Sequence, residues 1–498
     1  MSEIDDLLRS LGFSTGPTQS LGGYSDKSDQ PVRPFRGEPP VSPHELHGPD
    51  HHGAAALRPT KTVLPTAVPA HPVFDAQARG RAGRFLPMAP DTLEGAGLFP
   101  NEVSDLLLKT LSIRGIESGY NLARTLGLKF PLVEGILRQL KGERLVSYRN
   151  SAMGGDYFYD LTDQGRGRAT TIAANSSYMG TAPVPLNQYI ESVSAQSIAG
   201  RKPPLSSIRS AFGDLQVEDE LVSNLGQAIH SGRGMFLYGP AGNGKTSLAE
   251  RVTKSFGDTI WIPRTITASG EIIRLFDPNR HKPAPVVGAD PELIDGRWIQ
   301  IERPTIVAGG ELRMDDLEIT YIRRAGAGEA PLQMKANCGT LLIDDFGRQR
   351  MRIDELLNRW IVPLEQRYDY LHLESGRSIQ VPFDELIVFS TNLQPKDLVD
   401  EAFLRRIPYK IEVPNPTEAS FRRLFQLMSQ QRGFHCDPAM LDYLIETHYR
   451  AAGRTFRFCH PRDLISQIEN HCTLHEQERV VTREALDNAA SNYFSIML

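Results

Sequence analysis

The run Gly239-Pro240-Ala241-Gly242-Asn243-Gly244-Lys245-Thr246 puts glycines, one ammonium and one hydroxyl at the spacing G-x-x-x-x-G-K-T. Glycines there let successive backbone N–H groups converge on an anion. The lysine reaches its outer oxygens, and the hydroxyl suits a hard cation such as Mg2+. Met235-Phe236-Leu237-Tyr238 just before it reads as a short buried strand, and Ser247-Leu248-Ala249-Glu250-Arg251-Val252 after it as a helix. The helix N-terminus adds a field that favours negative charge. Gly239 to Ser247 are therefore the expected nucleotide-phosphate contacts.

A second chemical element is Thr340-Leu341-Leu342-Ile343-Asp344-Asp345, an apolar strand ending in two carboxylates. At the end of a buried parallel strand, such acids lie on the edge where α/β sheets bind ligands. Asp344 is expected to share the Mg2+ shell with Thr246, and Asp345 to polarise an attacking water. Loop and acids together predict ATP and Mg2+ as cofactors and a Mg-dependent ATP phosphohydrolase.

The elements that must hold these residues follow from the rest of the chain. Residues 1–98 are dense in Pro, Gly, Ser, Asp and His without sustained periodicity, which predicts a disordered arm. At its start Ile4, Leu7, Leu8 and Leu11 share a helical face, with Phe13 following, which reads either as a short docking helix or as a frayed amphipathic end. His44, His47, His51 and His52 lack a folded scaffold on which to bind a metal.

Residues 99–170 carry three helical patterns, marked by Val103, Leu106, Leu107 and Leu111, then Leu122, Ala123 and Leu126, then Val133, Ile136, Leu137 and Leu140. A hairpin follows, from Leu145 to Tyr148 and from Tyr157 to Tyr159 around Gly154-Gly155. This stretch resembles a winged helix domain. In such domains the third helix can enter the DNA major groove, where Arg138, Lys141, Arg144 and Arg149 would contact phosphates. Glu134 and Glu143 beside them fit a protein-docking module instead. Residues 171–205 read as a linker, 206–415 as the ATP-binding core and 416–498 as a helical lid.

From about Leu205 to Leu498 the chain resembles the AAA+ ATPases, whose remaining landmarks follow in order. The resemblance implies an α/β P-loop fold, a parallel sheet between helices, with the C-terminal lid. It makes Asn392, at the end of Leu386-Ile387-Val388-Phe389-Ser390-Thr391, the sensor 1 residue that orients water. It makes Arg405 or Arg406, with Arg406 favoured, a finger reaching a neighbouring subunit's nucleotide, and Arg462 in His460-Pro461-Arg462 the sensor 2 arginine. Charge spreading over phosphoryl oxygens would then be met by fixed cations, one of them supplied in trans.

Many members end the acidic strand in Asp-Glu, and Asp344-Asp345 resembles replication initiators and helicase loaders of the superfamily. A hairpin from Tyr370 to Leu373 and from Ile379 to Phe383, just before Asn392, resembles instead the insertion of the MoxR-like, pre-sensor 1 hairpin branch, where it projects toward the ring pore. The 264–337 insertion reads as surface elaboration. The whole plan resembles bacterial winged-helix AAA+ ATPases described as chaperone-like.

A net charge of -5 over 498 residues argues against a chain that coats nucleic acid or anionic membrane. The first residues have no secretory-signal pattern, no apolar run is long enough to span a bilayer, and the cysteines form no framework, so the expected compartment is the cytoplasm. The expected function is a homo-oligomeric ring, a hexamer, that hydrolyses ATP to remodel a protein complex recruited by the arm or winged helix. The alternatives are a DNA-associated ATPase and a nucleotide-gated assembly scaffold with slow turnover.

Overall fold

A computed structural model describes residues 85–215, 217–288, 290–321 and 326–495. The expected amphipathic start and the histidines from His44 to His52 lie outside the described residues. Five strands form the central sheet: β1 (Met235–Tyr238), β2 (Thr305–Ala308), β3 (Thr340–Ile343), β4 (Leu386–Thr391) and β5 (Tyr409–Glu412). All pairings are parallel, in the order β2-β3-β4-β1-β5.

Every residue of β3 and β4 is buried, which is why they read as unbroken apolar runs rather than alternating ones. Their side chains still alternate between two cores. Leu342, Leu386 and Val388 face Leu225, Leu248 and Val252 on one side, while Leu341, Ile387 and Phe389 face Leu356, Trp360 and Phe403 on the other. The fold is thus α/β, a parallel sheet between helical layers. Because β1 lies between β4 and β5, the chain reverses its direction of winding next to β1, and the carboxyl ends share one edge there.

Residues 171–205, expected as a linker, are instead built into the fold. Helix Asp163–Asn175 crosses the expected boundary, Val184–Pro185 pairs with Thr265–Ala268, and helix Leu186–Gln196 buries Tyr189 and Val193. They join a second five-stranded sheet that runs Thr320–Tyr321, Gly328–Glu329, Glu271–Arg274, Thr265–Ala268, Val184–Pro185. The 264–337 insertion is likewise no mere surface elaboration, since Ile266, Ile273 and Leu275 form a core of their own with Tyr189 and Val193. The hairpin Tyr368–His372 and Ser378–Pro382 buries Leu371, Ile379 and Val381 in that same core. Its tip is fastened too: Glu374 N–H and Ser375 N–H both donate to the Glu271 carboxylate at 3.0 Å.

Residues 85–98, expected as the end of a disordered arm, are also built into the fold. Phe85 packs its ring on Trp298 with centroids 5.5 Å apart, and Ala96 and Leu98 are buried. Arg297 Nη1 donates to Ala96 O at 2.8 Å, a contact made by a residue far along the chain that local periodicity cannot reveal.

Helices Pro100–Arg114, Gly119–Leu126 and Phe130–Gly142 pack with a three-stranded antiparallel sheet of Glu117–Ser118, Tyr157–Leu161 and Val146–Ser151. At the other end, helices Glu418–Gln431, Pro438–Tyr443, Cys459–Leu474 and Arg483–Phe494 enclose Phe421, Phe425, Tyr449, Leu464 and Leu486. Among the described residues no helix is long and apolar enough to cross a membrane.

Candidate functional site

The glycine turn leaves β1 and enters helix Lys245–Lys254 directly. Gly242 and Gly244 have φ of 80° and 77°, a backbone region that side chains rarely adopt. Gly242 is also needed for space: a Cβ there would lie 2.4 Å from Cys459 Sγ. The turn brings Lys245 back over its own backbone, where Nζ donates to Gly239 O at 2.9 Å, to Pro240 O at 3.1 Å and to Asn392 Oδ1 at 2.6 Å.

Burial pulls the Lys245 pKa below the ordinary lysine value. The charges of Asp344 and Asp345 oppose that shift, and Arg457 adds to it. Thr246 Oγ1 donates to Asp344 Oδ2 at 2.7 Å. A hydroxyl and a carboxylate held together at the sheet edge are hard oxygen donors, a set that fits Mg2+. Beside them Asn392 Nδ2 stands 3.4 Å from Asp345 Oδ1.

One cavity of about 490 Å3 is lined by Ala241 to Ser247, Asp344, Asp345, Asn392 and Arg462. The lining also includes the apolar side chains of Leu221, Leu424, Leu427 and Met428. A lining that can hold an anion and a cation and also offers apolar surface has the chemistry to take a nucleotide.

The sequence-expected residues divide into two groups. Gly239 and Pro240 touch Lys245 through their carbonyls, and the remaining loop residues and acids surround the cavity. Arg462 lines it while its Nε donates to Asp463 Oδ1 at 2.9 Å. Arg405 and Arg406 do not line it. Arg405 is exposed, and Arg406 Nε donates to Glu365 Oε1 at 2.6 Å beside a separate cavity.

Sequence reasoning missed the joint between loop and C-terminal helices. Asn243 Nδ2 donates to Pro414 O at 3.0 Å and Asn415 Oδ1 at 2.9 Å, and Cys459 N–H donates to Gly242 O at 2.9 Å. Arg457 Nη1 reaches Ala241 O at 3.4 Å. A second arginine close ahead of Arg462 was the available signal. No group of three or more metal-ligating side chains occurs among the described residues.

Residues 417–492 match the family model described as a domain of unknown function (DUF8689). The chain is 32% identical over 161 residues to the human ATPase family gene 2 protein homolog A, covering 32% of this chain. The match spans only 17% of that protein. Among solved structures, NtrX from Brucella abortus in complex with ATP aligns with TM-score 0.36 and 14% identity, over 57% of this chain and 59% of NtrX. The Thermotoga maritima RuvB Holliday junction branch migration motor aligns with TM-score 0.33 and 12% identity, over 60% of this chain and 74% of RuvB. This is an α/β chain with a phosphate loop and two acids at the edge of a parallel sheet, similar over about a third of its length to a human ATPase family protein.

Proposed function

We propose that this chain is an AAA+ ATPase that binds ATP with Mg2+ in the cavity, hydrolyses it between subunits of a homo-oligomeric ring, and uses the cycle to remodel a protein complex in the cytoplasm. The observation that carries this reading is the convergence of Lys245, Thr246 with Asp344, and Asp345 with Asn392 at one end of a single cavity. Lys245 would exchange its carbonyl partners for phosphate oxygens. Thr246 and Asp344 would hold Mg2+, which supplies neutralising charge to the phosphates when bound. Asp345 would polarise the water that Asn392 orients, and Arg462 would reach the phosphates from the helical lid, residues 416–498.

Arg406 lies outside its own subunit's cavity, which suits a finger given to a neighbour and hence a ring, a hexamer by family resemblance. The hairpin before Asn392 supports the MoxR-like, pre-sensor 1 branch by its position. Its packed tip makes it a strut between the two sheets rather than a free pore loop.

Residues 99–170 fit a winged helix domain that, with the arm, recruits the protein target. Internal pairing supports protein docking over duplex DNA. Arg138 holds Glu134 at 2.6 Å, Arg149 holds Asp160 at 2.6 Å, and Lys141 sits 3.5 Å over the Tyr148 ring. Phosphates would have to displace those partners.

The test is steady-state ATPase activity against protein concentration for wild type, Arg406→Ala, Lys245→Ala and equimolar mixtures of the two variants. Activity per subunit that rises with concentration, with turnover regained in the mixture, is the expected result. ATP binding with no turnover at any concentration would favour the assembly scaffold.

A further inference from the structure

The carboxylate of Asp345 has little to hold it. Its residue is exposed, and the 3.4 Å contact with Asn392 is at the outer limit of a hydrogen bond. Its position must therefore come from the backbone that carries it.

That backbone makes a tight, unusual turn. Asp344 N–H still donates to Ala308 O at 2.8 Å in continuation of the sheet, and then Asp345 turns left-handed at φ 50°. Phe346 drops back into the core, its N–H donating to Ser390 O of β4 at 2.7 Å. Gly347 follows at φ 103°, and Arg348 N–H closes the turn on Asp345 O at 3.0 Å. A left-handed aspartate persists only where its surroundings impose it.

Gln349 spans the base of this turn. Its Oε1 accepts from Gly347 N–H at 2.8 Å, and its Nε2 donates to Asp344 O at 3.0 Å. One side-chain amide thus ties together the two sides of the segment that presents Asp345. Phe346 anchors the middle of that segment, and without Gln349 the flanking Gly347 would be free to take other conformations.

We propose that Gln349 is a positioning residue for Asp345, holding the left-handed turn so that this short carboxylate faces Asn392 and the phosphate end of the cavity. The inference rests on the ATPase reading. An aspartate is one methylene shorter than a glutamate and cannot make up a displaced backbone by swinging its side chain, so the turn itself must be fixed. Gln349 does not line the cavity, and its one tie to the donor residue Asp344 is to the backbone carbonyl, so it acts through the turn. Misplacing a reacting group by about 1 Å costs on the order of 100-fold. Partial loosening of the turn is therefore expected to cost about 10-fold or more in turnover.

The experiment measures kcat and KM for ATP with Mg2+ in the full chain, together with the Kd of a fluorescent ATP analogue, for wild type, Gln349→Ala, Gln349→Glu and Asp345→Asn. It also includes the double variant of Asp345→Asn with Gln349→Ala. Gln349→Glu keeps the acceptor for Gly347 but sets a carboxylate oxygen against Asp344 O, so it is a nearly isosteric second probe should the alanine variant fold poorly. The expected result is kcat lowered about 10-fold or more in both Gln349 variants with KM and Kd within about 2-fold of wild type. In the double variant Gln349→Ala should add nothing to the loss from Asp345→Asn, because two residues acting on one event are not additive. Wild-type kcat in both Gln349 variants overturns the inference while leaving the ATPase reading in place, and so does a loss that multiplies fully onto Asp345→Asn. A wild type that binds ATP without turnover overturns both.

Discussion

The two five-stranded sheets of this chain treat their charges in opposite ways. Along the edge of the parallel sheet, ionic groups face a cavity and hold exchangeable partners: Lys245 rests on two carbonyls and an amide, and Arg462 is 66% exposed. Around the second sheet, buried cations are held by the protein's own carboxylates and carbonyls. Arg297 and Asp295 are 1% and 3% exposed, and the guanidinium also donates to Ala96 O and Pro183 O. Lys335 lies between Asp277 at 2.9 Å and Glu329 at 2.7 Å. A network with every donor satisfied inside the protein is architecture, whereas one that opens on a cavity is poised to trade its partners for a ligand.

The sharpest way to break that comparison is to remove one cation from each network. Arg297→Ala strands the buried Asp295 carboxylate and is expected to cost about 3–5 kcal/mol of stability. Activity of the protein that remains folded should stay near wild type. Lys245→Ala should do the reverse, lowering turnover by roughly 100-fold or more while costing less stability than Arg297→Ala, because it strands no buried carboxylate. Urea unfolding beside ATPase assays reads both. If Lys245→Ala unfolds the chain, or Arg297→Ala removes activity at unchanged stability, the division between the two sheets is wrong.

Next in size is the joint that sequence reasoning missed. Gly242→Ala would force a methyl against Cys459 Sγ at a φ that alanine disfavours. The expected outcome is a loss of about 1–2 kcal/mol in stability and about 10-fold in ATP affinity, because the helix bearing Arg462 must back away from the loop. Nucleotide titration checks it. Affinity equal to wild type would mean that the Cys459 contact does not govern the site.

Which parts could be read from sequence follows from the range over which each signal acts. The loop and the acidic strand declare themselves because their chemistry is local: the spacing of Gly242, Gly244, Lys245 and Thr246 is itself the binding geometry. Helix Leu186–Gln196 shows the opposite case. Gln196 Oε1 accepts from Trp261 N–H at 2.6 Å and its Nε2 donates to Trp261 O at 2.8 Å, so a side-chain amide stands in for a strand partner. Nothing near Gln196 announces Trp261, and a polar residue in a Ser-rich stretch reads as linker. The same holds for Ala96, whose carbonyl accepts from Arg297 Nη1 far along the chain. Asn243 lies inside the legible motif, yet its tie to Asn415 appears only once the C-terminal helices are in place.

The last predicted effect, one that appears only as pH falls, lies at the border between the two kinds of network. His460 is buried beside the phosphate loop with Nδ1 2.9 Å from Tyr449 Oη. Burial, and next the charge of Arg457, pull its pKa down to about 4, with Asp463 opposing. In the unfolded chain the ring returns to its ordinary value of about 6.5. Between these two values the unfolded chain binds a proton that the folded one refuses, so stability falls as pH drops from 6.5 toward 4 and this contribution levels off below 4. The loss should be about 2 kcal/mol. Urea unfolding at pH 7 and pH 4.5 should show wild type losing that much more than His460→Gln, which cannot titrate. Parallel losses in the two proteins would place the acid sensitivity elsewhere and return His460 to the set of polar groups that merely fill the joint.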